Sequence, residues 1–479
     1  MEILLSLDKI TILWVFEAFV LLLGFSTAVH ALLRKREPRA SLLWITVCLF
    51  IPLLGPILYL LLGINRIHHL HNRGTVKTIS QTSLLAHQKL DELEQHNIHY
   101  PNHVLLVSAV TGLPLCSGNK VAVLNNGEEA YPAMMDAINR ANDWIYLCMY
   151  IFEHKGIGGE FIAALENANK RGVEIRVLLD GVGACYNFGR TRSLLREKGI
   201  KVAYFLPPRL IPPQLGINMR NHRKMLITDG NKGFIGGMNI RQSHLLNTSD
   251  SKHLTRDTLF CLQGPILKQI CNVFEDDWLY AYGEVLPQKT FNILPNGLSW
   301  CRTIADGPGL QLDALINILI GAIGSAHMSI EIKTPYFLPP RELISALQSA
   351  ALRGVEVTLL LPTHNNLPYV HWAMRHMLWQ LLKYNIKVYY QAPPFDHSKL
   401  LVIDQRYCQV GSANMDARSL RLNFELTVEI YDEVLGMELS EYINHSKKNA
   451  KELSQELLDK RSFLIKIWDA FCWLFTPYL

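Results

Sequence analysis

Two short segments of this chain carry the same reactive side chains at the same spacing. Residues 221–239 read NHRKMLITDGNKGFIGGMN, and residues 396–414 read DHSKLLVIDQRYCQVGSAN. Each supplies a histidine (His222, His397), a lysine two positions on (Lys224, Lys399) and an aspartate at the end of an apolar run (Asp229, Asp404). A glycine pair or a Gly–Ser step follows, then an asparagine (Asn239; Ser412 and Asn414). Imidazole can attack an electrophile or move a proton near neutral pH. Ammonium and amide groups are donors that hold anionic oxygens. Strand alternation puts His and Lys of each H-x-K on one face, about 6.5–7 Å apart at Cα, so that both reach one phosphate. The glycines let a loop approach that phosphate, with the Asn amide as a further donor. An aspartate at the strand end braces the turn rather than touching substrate. A lone H-x-K means little; the whole pattern twice is a strong signal.

Two acidic residues occupy matched places beside these motifs. Glu425 lies 28 residues after His397, in SLRLNFELTV, and Asp257 lies in the equivalent strand of the first half, TRDTLFCLQGP. No C-x-x-C and no histidine at zinc spacing accompanies the nine dispersed cysteines, so neither a metal, a cofactor nor a disulfide framework is expected.

The elements that must position these groups come from an internal repeat of about 180 residues. Residues 161–180 (FIAALENANKRGVEIRVLLD) echo 343–362 (LISALQSAALRGVEVTLLLP): an amphipathic helix, a glycine just past its end, then a strand buried on both faces. Further echoes pair 194–207 with 381–393, and 144–152 with 328–337. Alternating helices and strands, duplicated, predict an α/β fold of two lobes related by a pseudo-two-fold axis.

Before the repeat come two apolar stretches, roughly Ile10 to Leu33 and Ala40 to Gly63, each near the ~20 residues that a spanning helix needs. They predict a transmembrane hairpin, with Glu17 facing the partner span or the interface. Flanking cations divide evenly between loop (Arg34, Lys35, Arg36, Arg39) and flanks (Lys9, Arg66, Arg73, Lys77), so charge does not choose the side. Free thiols lean towards a reducing, cytoplasmic setting for the polar part. A polar stretch with His68, His69 and His71 follows as a solvated juxtamembrane segment. The chain ends in KIWDAFCWLFTPYL, where Trp468, Phe471, Trp473, Phe475 and Tyr478 predict an interfacial aromatic cluster, or else a helix packed on the core. The composition agrees: 49% hydrophobic residues, 19% charged, and a net charge of +5, mildly basic as for a phosphate-bearing partner.

The doubled H-x-K-x4-D pattern resembles the phospholipase D superfamily position by position, and the flanking features resemble bacterial cardiolipin synthases. The resemblance implies catalytic sets His222, Lys224, Asp229 and His397, Lys399, Asp404, supported by Asn239, Asn414, Ser412, Asp257 and Glu425. It implies a phosphohistidine on His222 with acid/base chemistry at His397, the near-symmetry of the motifs allowing the opposite assignment, and Asp257 and Glu425 orienting the imidazoles. Phosphatidyl transfer between two phosphatidylglycerols, yielding cardiolipin and glycerol in a bacterial inner membrane, is the implied reaction. The expected partners are phosphatidylglycerol and anionic lipids. Phospholipase D, phosphatidylserine synthase and nuclease activities are alternatives, but no basic run favours nucleic acid; two intact motifs oppose a non-catalytic scaffold.

The expected boundaries are a hairpin (1–66), a linker (67–118), two lobes (119–290, 291–440) and a C-terminal interfacial segment (441–479). His244, His364, His371 and His376 read as loop or helix-surface residues, with His371, Trp372 and Arg375 as a candidate headgroup groove. Arg220, Arg418 and Arg421 read as phosphate-steering cations, and the proline-rich 207–213 as a lip beside the site.

Overall fold

The computed structural model describes residues 2–35, 38–64, 98–187, 189–207, 219–248, 254–289, 291, 295–308 and 313–476. His68, His69, His71, the proline-rich stretch after Pro207, and Tyr478 lie outside them. The chain divides into two compact units, one holding the N-terminal helices and the other both lobes.

In the N-terminal unit one helix, Glu2–Arg34, contains a 24-residue apolar stretch, Thr11–Arg34, long enough to cross a membrane. The second apolar stretch is not one helix. It is a helix over Pro38–Phe50, a turn, a short helix over Leu54–Leu58 and a π-helical turn over Tyr59–Gly63. Pro52 has no N–H for the helical ladder, and Leu53 takes a positive φ of 62°. The segments are still bonded together: His30 Nδ1 pairs with the Tyr59 hydroxyl at 2.8 Å, Ser41 donates to the Ala31 carbonyl, and Lys35 to the Gly63 carbonyl. Glu17 is exposed on its helix, not turned against the second segment.

Among the described residues, the larger unit is built on one 15-stranded sheet whose order reads as two mirrored halves. From its outer edge inward, the first half runs Lys201–Phe205, Glu174–Asp180, Trp144–Met149, Met225–Thr228, Lys232–Gly236, Thr258–Gln263 and Cys116–Asn125. The second runs outward as Ser299–Asp306, Glu425–Tyr431, Tyr407–Gly411, Leu400–Ile403, Ser329–Lys333, Glu356–Pro362 and Lys387–Gln391, with Ala450–Glu452 added at the edge. Leaving aside the antiparallel edge strand Ala450–Glu452, the outer three strands of each half are parallel and the strand after H-x-K joins them antiparallel. The crossover helices Ile157–Lys170 and Arg341–Leu352 both hand over to a strand through a left-handed glycine, Gly172 at φ 89° and Gly354 at φ 91°. An L-residue is disfavoured there, which is why both repeats carry glycine.

Each half has its own apolar core, one around Phe161, Leu165 and Leu226, the other around Ile332, Leu359 and Leu401. The stretch read as linker ends in a helix, Pro101–Thr111, that belongs to the second core through Val104 and Val107. It caps a buried ion pair, Arg302–Glu429 at 2.5 Å, by offering the Val104 carbonyl and the Ser108 hydroxyl to the guanidinium. The C-terminal segment likewise begins inside the lobe, because Ala450–Glu452 pairs with Lys387–Gln391. Its last helix, Phe463–Leu474, lies against Pro368–Met377. The helix is packed on the lobe along one face, and its other face is exposed.

Candidate active site

Each histidine sits on the residue pair that precedes a buried strand, and there the main chain crosses to the other lobe. His222 N–H donates to the Phe424 carbonyl at 2.9 Å, and Phe424 N–H donates to Arg220 at 2.7 Å. His397 N–H donates to the Arg256 carbonyl at 2.8 Å, where Phe395–Asp396 pairs with Thr255–Arg256. The residue after Phe424 is Glu425, and the residue after Arg256 is Asp257. These bridges therefore set each carboxylate beside the histidine of the opposite repeat.

The side chains complete the exchange. His222 Nδ1 lies 3.0 Å from both carboxylate oxygens of Glu425, and His397 Nδ1 lies 2.9 Å from Asp257 Oδ2. Both carboxylates are fully buried. A buried carboxylate on Nδ1 fixes the tautomer with its proton there, leaving Nε2 with a lone pair. Each acid thus serves the histidine of the other repeat, and the pairing is crossed.

The two lysines sit under the imidazoles, both buried. Lys224 Nζ donates to the His222 carbonyl at 2.6 Å, and Lys399 Nζ donates to the His397 carbonyl at 2.5 Å and lies 3.0 and 3.1 Å from the two ring nitrogens. Burial, reinforced at Lys224 by the charge of Lys399, pulls Lys224 down to about 7, and burial alone pulls Lys399 to about 8, against the opposing pull of Glu425 and Asp257. Burial and the same cations hold His222 below its ordinary range, and His397 well below. Both shifts favour the neutral imidazole near neutral pH.

The half-sites are not equal. Glu425 accepts from the Ser412 hydroxyl at 2.5 Å and the Asn423 amide at 3.1 Å. Burial pushes its carboxyl up, but His222, Lys224 and Ser412 outweigh that and hold it below the ordinary value. Asp257 accepts from its neighbour's Thr258 N–H at 2.8 Å, and burial, only partly offset by Lys399, raises it to about 6. The position matching Ser412 is Gly237, where a Cβ would lie 2.8 and 3.0 Å from the Asp257 oxygens. A side chain does not fit there without movement.

Asp229 and Asp404, placed in the catalytic sets by the resemblance, are engaged by main chain at the strand ends. Each turns into a left-handed bend beyond its strand, φ 49° and 51°, and gathers backbone N–H groups from the start of the neighbouring strand. Asp229 accepts from Asn142, Asp143 and Trp144 at 2.7–3.0 Å; Asp404 accepts from His327, Met328 and Ser329 at 2.7–2.8 Å and from the Tyr100 hydroxyl at 2.7 Å. They brace the turn. The asparagines also make protein bonds: Asn239 Oδ1 accepts from Ile151 N–H at 3.0 Å, and the Asn414 amide donates to Ser419 at 3.2 Å.

Other residues were not legible as part of the site. Tyr150 packs edge-on to His222 at 5.2 Å, and Tyr336 to His397 at 6.2 Å, at matching points of the repeat. The residue before each histidine is also anchored: Asn221 by Asp277, which in turn pairs with Arg223 at 2.5 Å, and Asp396 by Lys333 at 2.9 Å. Asn221 and Asp396 head the two motifs, a positional signal that sequence reading passed over.

Some readings fail. His244 is buried, its Nδ1 3.2 Å from the Thr255 carbonyl, and is no surface residue. Arg375 is bound to Asp469 and Trp372 faces Trp468, so neither lines an open groove with His371. Arg421 is held by Asp313 at 2.9 Å. Arg220 is buried, 4.0 Å from Asp180, and within electrostatic reach of Tyr150 and Arg418.

Comparison with known proteins gives the same picture. A family model described as "Cardiolipin synthase, PLD-like domain" matches residues 134–278 and 319–447, and one described as "Phospholipase_D-nuclease N-terminal" matches 22–63. The major cardiolipin synthase of Bacillus subtilis (strain 168) is 32% identical over 458 residues, covering 93% of this chain and 95% of that protein. Cardiolipin synthase 2 of Bacillus anthracis is 30% identical, covering 93% and 88%. The crystal structure of a phosphatidylserine synthase from Haemophilus influenzae Rd KW20 superposes with a TM-score of 0.61 at 14% identity, over 79% of this chain and 100% of that one, a likeness of fold.

Proposed function

The chain belongs to the phospholipase D-like cardiolipin synthase family, and on that premise we propose that it joins two phosphatidylglycerols into cardiolipin and releases glycerol. One observation carries this reading: two imidazoles, each oriented by a buried carboxylate from the opposite lobe, with two buried lysines beneath them.

In the first step His222 Nε2 attacks phosphorus, the bond to the glycerol headgroup oxygen breaks, and His397 gives that oxygen its proton. Both rings start neutral, so His397 must gain its proton as substrate arrives. A phosphodiester anion over Lys224 and Lys399 cancels the cationic field that depresses His397, and so lifts its proton affinity. In the second step a hydroxyl of another phosphatidylglycerol passes its proton to His397 and attacks phosphorus, and the His222–phosphorus bond breaks. The lysines hold the non-bridging oxygens throughout. His222 is the better nucleophile because Ser412 and Asn423 keep Glu425 ionised, and an ionised partner stabilises the charge that the ring acquires.

The catalytic set is therefore His222, Lys224, His397 and Lys399, with Asp257, Glu425 and Ser412 orienting it. The apolar helix Thr11–Arg34 fits a membrane anchor. With the broken second segment it would make a two-pass anchor in a bacterial inner membrane, both ends on one side. Purified full-length protein in phosphatidylglycerol vesicles is expected to yield cardiolipin and glycerol in equal amounts. Phosphatidic acid as sole product would make it a hydrolase. His222→Ala is expected to abolish turnover and covalent labelling by lipid, and His397→Ala to lose turnover at least a thousandfold. Retained turnover in both would end the two-histidine scheme.

A further inference from the structure

The C-terminal helix Phe463–Leu474 has an inner face that the fold uses and an outer face that it does not. Inward, Asp469 is completely buried and takes Arg375 in a two-point bond at 2.5 and 2.8 Å, with Arg461 on the same carboxylate. Trp468 meets Trp372 edge-on at 5.8 Å, and Trp473 meets His376 at 5.2 Å. A carboxylate buried between two guanidiniums is a fixed joint: moving the helix would strand a charge. Outward, Leu464, Ile467, Phe471, Leu474 and Phe475 follow helical spacing and are all exposed, Leu464 at 77%, and Trp468, at the border of the two faces, is 50% exposed. So wide an apolar stripe is not left in water without a use.

We propose that this outer face docks on the surface of a lipid bilayer and holds the His397 side of the site at the headgroup layer. A helix of 12 residues is about 18 Å long, too short to span a bilayer but suited to lying in its interface. Its exposed aromatics fit that layer, where rings are favoured, and Phe471 stacks on Trp468 at 5.6 Å to form a continuous plate. Lys460, paired with Glu456 at 2.6 Å, and Lys466, donating to the Asp459 carbonyl at 2.8 Å, flank the start of the helix. The N-terminal helix, long and apolar enough to cross a membrane, fits an anchor that would bring this surface to a bilayer.

The docked helix also reaches the chemistry. Its partner Pro368–Met377 is preceded by Leu367 at its N-cap, and just before that Asn365 donates to the Pro335 carbonyl at 2.9 Å and Asn366 accepts from the Tyr336 hydroxyl at 2.7 Å. Tyr336 is the ring packed against His397. The link from bilayer to site is thus one helix pair and one tyrosine. The substrate side of this inference rests on the phosphatidyl-transfer reading; the docking does not.

The test uses the full chain in phosphatidylglycerol/phosphatidylcholine vesicles. Phe471→p-benzoylphenylalanine is expected to photocross-link to lipid. Leu464→Ser/Phe471→Ser is expected to raise the apparent KM for vesicle phosphatidylglycerol about tenfold, with turnover of dispersed short-chain phosphatidylglycerol unchanged. Cross-linking to a second copy alone, or an unchanged KM in the double variant, would overturn the proposal. Lipid cross-links from an enzyme that turns over no phosphatidylglycerol would keep the docking and sink the reaction instead.

Discussion

Replacing Ser412 with alanine tests the claim that the two half-sites differ in purpose. The Ser412 hydroxyl gives Glu425 a 2.5 Å bond inside a fully buried site, alongside His222 and Asn423. A buried hydrogen bond to an ionised group is worth about 1.5–3 kcal/mol, which is roughly ten- to hundredfold in the carboxyl's ionisation constant. Glu425 is held below its ordinary value, so its stabilising contribution is present above the unfolded-state pKa and is lost as pH falls through the folded one. Removing a donor to the charged form raises that folded value. Acid unfolding of Ser412→Ala is therefore expected at higher pH than in the wild type. The acidic limb of kcat/KM should move towards neutrality by about one pH unit or more. A pH-independent loss accompanies it, because Leu426 N–H also uses the Ser412 oxygen, at 2.9 Å. Cardiolipin formation measured between pH 4.5 and 8, beside circular dichroism on the same samples, separates the two. If the acidic limbs of variant and wild type coincide, Ser412 does not govern Glu425, and the argument for His222 as nucleophile loses its support.

Asp257 gives the opposite sign. Its carboxyl is raised from 3.8 to about 6, so the protein is stabilised below the unfolded value and that stability drains away as pH rises through about 6, at most about 3 kcal/mol by neutrality. Asp257→Asn is expected to raise the melting temperature at pH 7.5 while lowering turnover at least a hundredfold; a lower melting temperature would contradict it. Asp229→Ala leaves three backbone N–H groups without their acceptor, and should cost about 2–4 kcal/mol in urea unfolding with little change in KM. Asp404→Ala should behave alike, and a turnover defect in a fully stable variant would return either residue to the chemistry.

What was legible in the sequence follows from where information is local. The H-x-K motifs, the helix–glycine–strand echoes and the two-lobed α/β fold are written in spacing that short-range periodicity exposes. Partner choice is not. Whether Glu425 meets His397 or His222 depends on how Phe424 bridges Asn221 across the lobes, and no spacing along the chain encodes that bridge. Tyr150 and Tyr336 were missed because an additional proline, Pro335, offsets their segments, and rings beside apolar strands look like core. His244 looked like a surface residue because loop position says nothing of depth. The second apolar stretch read as one span because hydropathy counts composition, whereas Pro52 acts on the backbone. Helix 101–111 was folded into a linker because its burial depends on Arg302, two hundred positions later.

The crossing of acids and imidazoles bears on how such an enzyme comes to exist and how it fails. Neither lobe owns a finished reactive centre, so a fragment carrying either motif alone would hold an unguided histidine and an acid with nothing to orient. Two separately expressed lobes should each be inert and regain turnover only on docking. A lesion that loosens their seam would disarm both imidazoles at once. Divergence after duplication is constrained in the same way: each copy preserves the carboxylate that its sister needs.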